Sequence, residues 1–235
     1  MTTSIFIKTC RKDLEWLRYS LLSIAKWSVG FSEFVIVADE DCRDTLEPIA
    51  ALLPEPYWIY YVLGSDNGYI QQQAIKLAAD IYCSSDYILF VDSDCVFFRI
   101  FMPSSFMHNG KPVLMKTRYG NLGGAEAWKA ITESIVGWEV EFEYMRRLPL
   151  MYRKDTLRKF RERFPSLLPK LSVMESRDFS EFNALGAFIE KEDKEGYYIA
   201  DTEDWVLDAV AKQFWSWGGI SPDIRNEMEE MITLC

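Results

Sequence analysis

The sequence predicts an α/β fold in which a mostly parallel central sheet is flanked by helices. Short, almost continuously apolar segments alternate with segments whose apolar residues recur every three or four positions. Continuous apolar strands are typical of parallel sheets covered on both faces, and the amphipathic segments between them supply the covering helices. No repeat, low-complexity segment or proline-rich linker interrupts the 235 residues, so we expect a single domain spanning 1–235.

The first half of the chain contains four predicted strands joined by three predicted helices. β-Branched and aromatic residues mark the strands, which we expect at 4–7, 34–38, 57–62 and 87–91. The first helix is expected to begin at Asp13, and the second to end before Pro54. The third should run from Ile70 to about Tyr82, and its predicted inward-facing residues are Ile70, Ala74, Leu77 and Ile81.

The second half is less regular. We expect strands at 112–116, 148–152 and 197–200, and a glycine-bearing loop at 117–124. Helices are expected at 125–136, 138–147, 155–164, 180–190 and 202–214. In open α/β sheets, ligands bind outside the carboxyl ends of the parallel strands, so polar residues at those ends are the first candidates for function.

Composition argues against several classes of function. The formal net charge of −10 is unfavourable for sequence-independent nucleic-acid binding, which depends on Lys and Arg contacts to phosphates. The five cysteines include no CxxC pair and there is one histidine, so neither a disulfide framework nor a zinc site is expected. No apolar stretch approaches the ~20 residues that span a bilayer, and no secretory signal is visible. We therefore expect a cytoplasmic protein with no transmembrane segment and no nucleic-acid partner.

Two carboxylates interrupt the apolar segment YILFVDSDCVFF (87–98). In a strand, residues two apart project to the same face, so Asp92 and Asp94 would point together while Ser93 points away. Two unpaired buried anions are costly, and a divalent cation relieves that cost. Oxygen ligands suit Mg²⁺ or Mn²⁺, and a site with few protein ligands leaves positions for phosphate oxygens. The alternative is a turn whose aspartates cap backbone amides, but the apolar residues on both sides favour the metal site.

The segment 87–98 resembles the DxD motif of nucleotide-sugar glycosyltransferases with the GT-A fold. The longer stretch GYIQQQAIKLAADIYCSSDYILFVDSDCVFF (68–98) is similar to a group that includes the small chlorella-virus glycosyltransferases acting on a major capsid protein. The segments 149–164 and 179–188 resemble later blocks of that group. The resemblance implies a GT-A-like, Rossmann-like single domain with a nucleotide-sugar-binding half (1–98) and an acceptor-binding half (99–235). For a viral enzyme it implies the host cytoplasm.

The resemblance also implies roles for individual residues. Asp92 and Asp94 would meet the metal, Mn²⁺ or Mg²⁺, and the donor, with Asp94 the more direct ligand and Ser93 beside them. Residues after the first strand would border the base and ribose, Asp39 would accept a hydrogen bond from either, and Lys76 would reach the ribose or phosphates. The donor-binding candidates outside the motif are Thr9, Cys10, Arg11, Asp39, Lys76 and Gln73. For Lys76, a solvated helix lysine is an equal alternative.

A catalytic carboxylate is expected from the second half. The segment TEDW (202–205) resembles the Glu-Asp pair of many inverting GT-A enzymes, in which the Asp takes the acceptor proton. Asp204 is therefore the first candidate and Glu181 the second, although acids in a first helical turn also serve as caps. Many GT-A enzymes supply a later histidine as third metal ligand. No histidine follows His108, so water or a carboxylate must substitute.

The resemblance implies transfer of a hexosyl or deoxyhexosyl group from a nucleotide sugar, with UDP favoured over GDP. The acceptor would be a hydroxyl of a glycan or glycoprotein, such as a viral capsid glycoprotein. FVDSDCV (90–96) also fits the DxDxV pattern of phosphohydrolases, but that motif usually ends the first strand of its domain. A non-catalytic nucleotide-sugar-binding module is the third alternative. Near the end, WSWGG (215–219) offers either core tryptophans or an aromatic platform for an acceptor sugar.

Overall fold

The structure, a computed structural model, describes residues 1–122, 126, 128–145, 148–174, 179–202 and 209–233. Its strands are β1 (Thr3–Thr9), β2 (Glu33–Asp39), β3 (Tyr57–Val62), β4 (Tyr87–Phe90), β5 (Cys95–Phe97), β6 (Met107–His108), β7 (Lys111–Arg118), β8 (Phe142–Glu143), β9 (Leu150–Arg153), β10 (Tyr198–Asp201) and β11 (Ala211–Gln213). Its helices are α1 (Leu14–Trp27), α2 (Arg43–Ala50), α3 (Gly68–Leu77), α4 (Ala79–Tyr82), α5 (Lys129–Val136), α6 (Lys154–Arg163), α7 (Leu167–Leu171), α8 (Glu181–Phe188) and α9 (Pro222–Thr233).

A five-stranded sheet in the order β3-β2-β1-β4-β9 forms the centre of the fold. The first four of these strands are parallel to one another, and β9 joins β4 antiparallel at the edge. The α/β class with a mostly parallel central sheet is therefore confirmed. β9 comes from the second half of the chain, so the two halves share one sheet.

Both faces of the sheet are covered except at the edge strand β3, and this explains why the inner strands have no polar alternation. Along β1, Phe6 packs into a core that includes residues of α3, α6 and α8. Its neighbours Ile5 and Ile7 point to the opposite core, which includes residues of α1 and α2. All three side chains are almost completely buried. Side chains of a strand alternate between faces, so only a strand buried on both sides keeps such a continuous apolar sequence.

The second half builds two smaller sheets beside the central one. One has the order β10-β7-β6, and β8 pairs with the end of β7. The other is the antiparallel pair of β11 and β5. β5 begins directly after the DxD segment, so this pairing brings the distant strand β11 next to Asp94. The predicted strands at 112–116 and 197–200 correspond to β7 and β10 of the first of these sheets, and the strand predicted at 148–152 corresponds to β9 of the central sheet.

Four details of the element prediction are wrong. No helix forms at 138–145, because Phe142 and Glu143 pair with β7 instead. The helix predicted for 202–214 does not reach its end, because 211–213 pair with β5, while 203–208 lie outside the described residues. The third predicted helix is broken at Ala78, and the resulting change of phase leaves Ile81 70% exposed. Finally, β7 continues through Arg118, two residues into the expected loop.

The helix α9 was not expected from the sequence. It packs against α1 and β5, and its Met228 and Met231 are buried in a small core with Trp16 and Val96. In the described part of the chain, no helix is both long enough and apolar enough to cross a membrane.

Candidate functional site

The two aspartates of the DxD segment lie in a turn between β4 and β5, where Cys95 N donates to Asp92 O at 3.0 Å. Their side chains converge on one amide, because Gln213 Nε2 lies 3.4 Å from both Asp92 Oδ2 and Asp94 Oδ1. The expectation that the carboxylates point together holds, but the physical reason differs. A tight turn and a shared partner on β11 bring them together, whereas the expectation relied on the alternation of a strand.

Ser93 points away from the two carboxylates, toward the first strand. Its hydroxyl donates to Thr9 Oγ1 at 3.0 Å, and both residues are buried. This contact joins the DxD turn to the carboxyl end of β1. Thr9 therefore has a structural role in positioning the turn as well as its predicted place beside the donor.

Lys76 is a buried ion-pair partner of the DxD turn. Its Nζ lies 2.7 Å from Asp92 Oδ1 and 3.1 Å from Glu181 Oε1, and its side chain is 4% exposed. The alternative of a solvated helix lysine is therefore wrong. Burial by itself would lower the pKa of Lys76, but the charges of Asp92 and Glu181 outweigh it and hold the pKa above its ordinary value. The ammonium stays charged and balances the carboxylates.

Glu181 begins α8 in the interior of the protein. Ser180 caps this helix through the Asn183 amide, and Gln73 Oε1 accepts a hydrogen bond from Glu181 N at 2.8 Å. The Glu181 side chain is 1% exposed, and burial raises its pKa even though Lys76 acts in the opposite direction. Gln73 thus contacts the backbone of α8, and Glu181 contacts Lys76. Through Lys76, these contacts connect α8 to Asp92 and help to hold the DxD turn in place.

Asp94 is anchored by the segment after β11. Ser216 N donates to Asp94 Oδ2 at 2.8 Å, directly after Trp215, whose φ of 42° lies in the left-handed region. Asp94 is 7% exposed. Burial and the neighbouring charge of Asp92 raise its pKa to about 6. Two mutually repelling carboxylates in a desolvated turn form a site that a cation would stabilise.

The carboxyl ends of β1 and β2 form the other side of the site. Lys8 Nζ lies 2.7 Å from Asp39 Oδ1, so the predicted base-binding or ribose-binding carboxylate already has a buried cationic partner. Arg11 is exposed and donates to Asp41 O at 2.5 Å. Burial and the charge of Asp13 raise the pKa of the Cys10 thiol, which therefore stays protonated at neutral pH.

A cavity of about 270 Å³ lies on the β9 side of the DxD turn, and Gln213 and Trp215 are part of its wall. Trp215 is 62% exposed and Trp217 is 86% exposed, so core packing is wrong for both. The site therefore has a polar side, next to Asp39, and a largely apolar side, next to Gln213.

The family model of glycosyl transferase family 2 matches residues 4–167 of the chain. The chain belongs to this family. The protein is thus a glycosyltransferase with the GT-A fold, in a family that generally uses nucleotide-sugar donors and divalent metals. No curated protein sequence matches the chain. The matched range of this family 2 glycosyltransferase contains the DxD turn and Lys76 but ends before Glu181 and Gln213.

The DxD turn of this family 2 glycosyltransferase fits a divalent metal. Among the described residues, Asp92 Oδ2 and Asp94 Oδ1 contact only the Gln213 amide, at 3.4 Å, and both are hard oxygen donors of the kind that Mn²⁺ and Mg²⁺ bind. Within the described ranges, no cluster of three or more His, Cys, Asp or Glu residues could hold a metal. The remaining positions of such a metal would fall to the donor phosphates and water.

The predicted residues that lie outside the DxD turn and outside the ends of β1 and β2 divide into two groups. Lys76, Gln73 and Glu181 join the network around Asp92, whereas Asp204 lies outside the described residues. Gln213 and Ser216 were missed, since nothing in their local sequence indicates a contact with residues 119 to 122 positions earlier. Lys8 was also missed, although a single cation inside an apolar strand is a signal that could have found it.

Proposed function

We propose that this protein transfers a hexosyl or deoxyhexosyl group from a UDP-sugar to a hydroxyl of a glycan, with Mn²⁺ or Mg²⁺ held by Asp92 and Asp94. The observation that supports this proposal best is the convergence of the two carboxylates beside Gln213 at 3.4 Å. They lie just after a central parallel strand, at the sheet edge where α/β proteins bind ligands. Lys76 pairs with the other oxygen of Asp92, Oδ1, at 2.7 Å, and this ion pair holds the Asp92 carboxylate in place.

The donor would lie across the strand ends. Asp39, after β2, would accept a hydrogen bond from the base or ribose, with Thr9, Cys10 and Arg11 at the border of that pocket. The diphosphate would then reach the DxD turn, where the metal, when bound, stabilises the negative charge of the leaving nucleotide. Because Lys76 is occupied by two carboxylates, its proposed role is to hold Asp92 in place and to offset its charge.

Proton removal from the acceptor is proposed for Asp204. A general base must come within hydrogen-bond reach of the acceptor hydroxyl, which a side chain 1% exposed and paired with a lysine does not do as it stands. Glu181 is therefore proposed as a positioning residue that acts through Lys76. A Glu181→Gln variant should lower kcat far more than it raises KM for the donor. Its pH–rate profile should keep the rise that reports deprotonation of the general base.

The acceptor is proposed to bind to the half of the domain formed by 99–235, and the donor to the half formed by 1–98. The resemblance of 149–164 and 179–188 to capsid-glycosylating viral enzymes favours a glycoprotein glycan, such as that of a viral capsid, as acceptor. A purified capsid glycoprotein that lacks its terminal sugars is the direct test substrate for this part of the proposal.

Calorimetric titration with UDP and with GDP, first with Mn²⁺ and then with EDTA, tests the donor site. We expect UDP to bind only with the metal present, and Asp94→Asn to weaken binding by at least about tenfold, or ~1.4 kcal/mol. The exposed Asp223→Asn, in the first turn of α9, is the matched control and should bind like wild type. Metal-independent binding, or equal binding by Asp94→Asn, would contradict the proposed site.

Two further assays separate the proposal from its alternatives. Release of UDP from a UDP-sugar that requires an added glycan acceptor distinguishes a transferase from a binding module. Hydrolysis of 4-nitrophenyl phosphate that is lost in Asp92→Asn would indicate a phosphohydrolase instead. Four strands, β1 to β4, precede the DxD turn, whereas the phosphohydrolase motif usually ends the first strand of its domain.

A further inference from the structure

The cavity beside the DxD turn has a predominantly apolar wall. Its volume is about 270 Å³, and strands from three sheets contribute to it. Among the lining residues are Phe106, Val113, Met115, Leu150, Val210 and Trp215. Phe106, Val113, Met115 and Leu150 are themselves nearly buried, so the wall belongs to the packed interior and has a defined shape.

The cavity is placed where an acceptor would meet the donor. Gln213 lies in its wall and contacts both Asp92 and Asp94 at 3.4 Å. In the order β3-β2-β1-β4-β9, Asp39 lies on the β2 side of β4, whereas the cavity is lined by Leu150 of β9. A donor whose base lies near Asp39 and whose diphosphate lies at the DxD turn would therefore direct its sugar toward the cavity.

Trp215 is held at this cavity by a strained backbone. Its φ of 42° is a conformation that side chains other than Gly rarely adopt, and such strain persists only where the surroundings enforce it. The residues on both sides of Trp215 are bonded to Asp94, because Phe214 N donates to Asp94 O at 3.0 Å and Ser216 N donates to Asp94 Oδ2 at 2.8 Å. The turn that anchors Asp94 thus also places a 62% exposed indole in the cavity wall.

We propose that this cavity binds an apolar group carried by the acceptor, next to the hydroxyl that receives the sugar. The inference rests on the proposed glycosyltransferase site and names the chemistry of its second substrate. A cavity of about 150 Å³ already accepts benzene. The space of about 270 Å³ therefore takes an aryl group or several carbons of an alkyl chain. The indole of Trp215 would cover the apolar face of the adjoining sugar ring.

The test compares acceptor-like probes that differ only in the aglycone. Binding of n-octyl, 4-nitrophenyl and methyl β-D-glucopyranoside is measured by ligand-observed NMR titration, with the octyl compound below its micelle concentration. We expect the octyl or the nitrophenyl compound to bind at least about tenfold more tightly than the methyl compound, because its apolar carbons leave water. Which of the two binds better distinguishes an alkyl-bearing from an aryl-bearing acceptor.

A cavity-filling variant localises the effect. Ala209 is exposed and lines the cavity, so Ala209→Trp should fill it and remove the preference for the apolar probe. Ala51→Trp, at an exposed position after α2, is the matched control and should keep that preference. Equal binding of all three glucosides by wild type would overturn the inference, and so would an unchanged preference in Ala209→Trp.

The two proposals can fail separately. Metal-dependent UDP binding is measured on the same samples and also shows that each variant is folded. Equal binding of the glucosides by a protein that still binds UDP with Mn²⁺ overturns the acceptor inference alone. An apolar preference without any nucleotide binding refutes the proposed function, and with it the assignment of the cavity's ligand as an acceptor. The comparison of glucosides on wild type needs no variant, so it remains decisive if Ala209→Trp does not fold.

Discussion

Replacing Lys76 with Met should destabilise the fold strongly, because Lys76 is the buried cation between two carboxylates. Its Nζ lies 2.7 Å from Asp92 and 3.1 Å from Glu181. Met has a similar length and apolar stem, so the main loss is the charge. Removing one partner of a buried ion pair leaves the other charge uncompensated, at a cost of about 3–5 kcal/mol.

The exposure of the two carboxylates refines this magnitude. Glu181 is 1% exposed, so water cannot replace the stabilisation of its charge that Lys76 provides. Asp92 is 19% exposed and is partly solvated. We therefore expect a loss near the lower end of the range, about 3 kcal/mol, most of it from Glu181. If so, Lys76→Met combined with Glu181→Gln should cost less than the sum of the two single substitutions, by roughly 1–3 kcal/mol.

Urea unfolding of wild type, the two single variants and the double variant measures this coupling. Lys170→Met, an exposed lysine in the last turn of α7, is the control and should lie within about 0.5 kcal/mol of wild type. Additive costs of the two substitutions would contradict the buried ion pair, and so would a Lys76→Met variant that loses no more stability than the control.

The pH dependence of the same variant provides a second check. Burial already raises the pKa of Glu181, and Lys76 is the charge that lowers it, so its removal should raise the pKa further. The folded variant then binds a proton that the unfolded chain has released. Stability therefore falls as pH rises, and the loss caused by Lys76→Met should be larger at pH 8 than at pH 5.

Three other substitutions test separate parts of the structure. Glu33→Gln should cost about 1–3 kcal/mol at pH 7 in urea unfolding. Burial would raise the pKa of Glu33, but hydrogen bonds from a serine hydroxyl and two backbone amides hold it below its usual range. This difference from wild type should therefore shrink as pH falls below ~4.3. Gly186→Ala should lower the free energy of unfolding, measured by thermal denaturation, by about 1–3 kcal/mol, because the added Cβ would lie 2.1 Å from Tyr144 Cγ. Asp39→Asn should weaken UDP binding in calorimetry and also destabilise the fold, because Lys8, with a side chain 3% exposed, loses its anion.

Each of these predictions has an outcome that contradicts it. A Glu33→Gln difference that grows on acidification would mean that the carboxylate is not the stabilised form. A Gly186→Ala variant as stable as wild type would show that the helix and the Tyr144 ring separate easily. Unchanged UDP affinity in Asp39→Asn would place the nucleoside away from the end of β2.

The sequence predicted the central sheet well because its signals are local. The segments 34–38 and 57–62 are short, apolar and bounded by turn residues, and each becomes a strand. The same pattern marks Asp92 and Asp94, since charge directly after a buried strand stands out from its neighbours. The secondary-structure prediction was wrong at 142–143 and 211–213. These residues have helical spacing in the sequence, but they pair with strands from other parts of the chain.

The sequence by itself therefore determined the α/β class, the strands of the sheet and the turn that contains the two carboxylates. Only the tertiary structure decided what these carboxylates contact. Lys76 reads equally well as a surface lysine until α8 brings Glu181 to it, and Gln213 meets Asp92 across 121 positions of chain. The physical reason is the sequence separation over which each signal acts: apolar periodicity and the residues that begin or end an element act within a few positions. Ion pairs, shared amides and cavities depend instead on how separate elements pack.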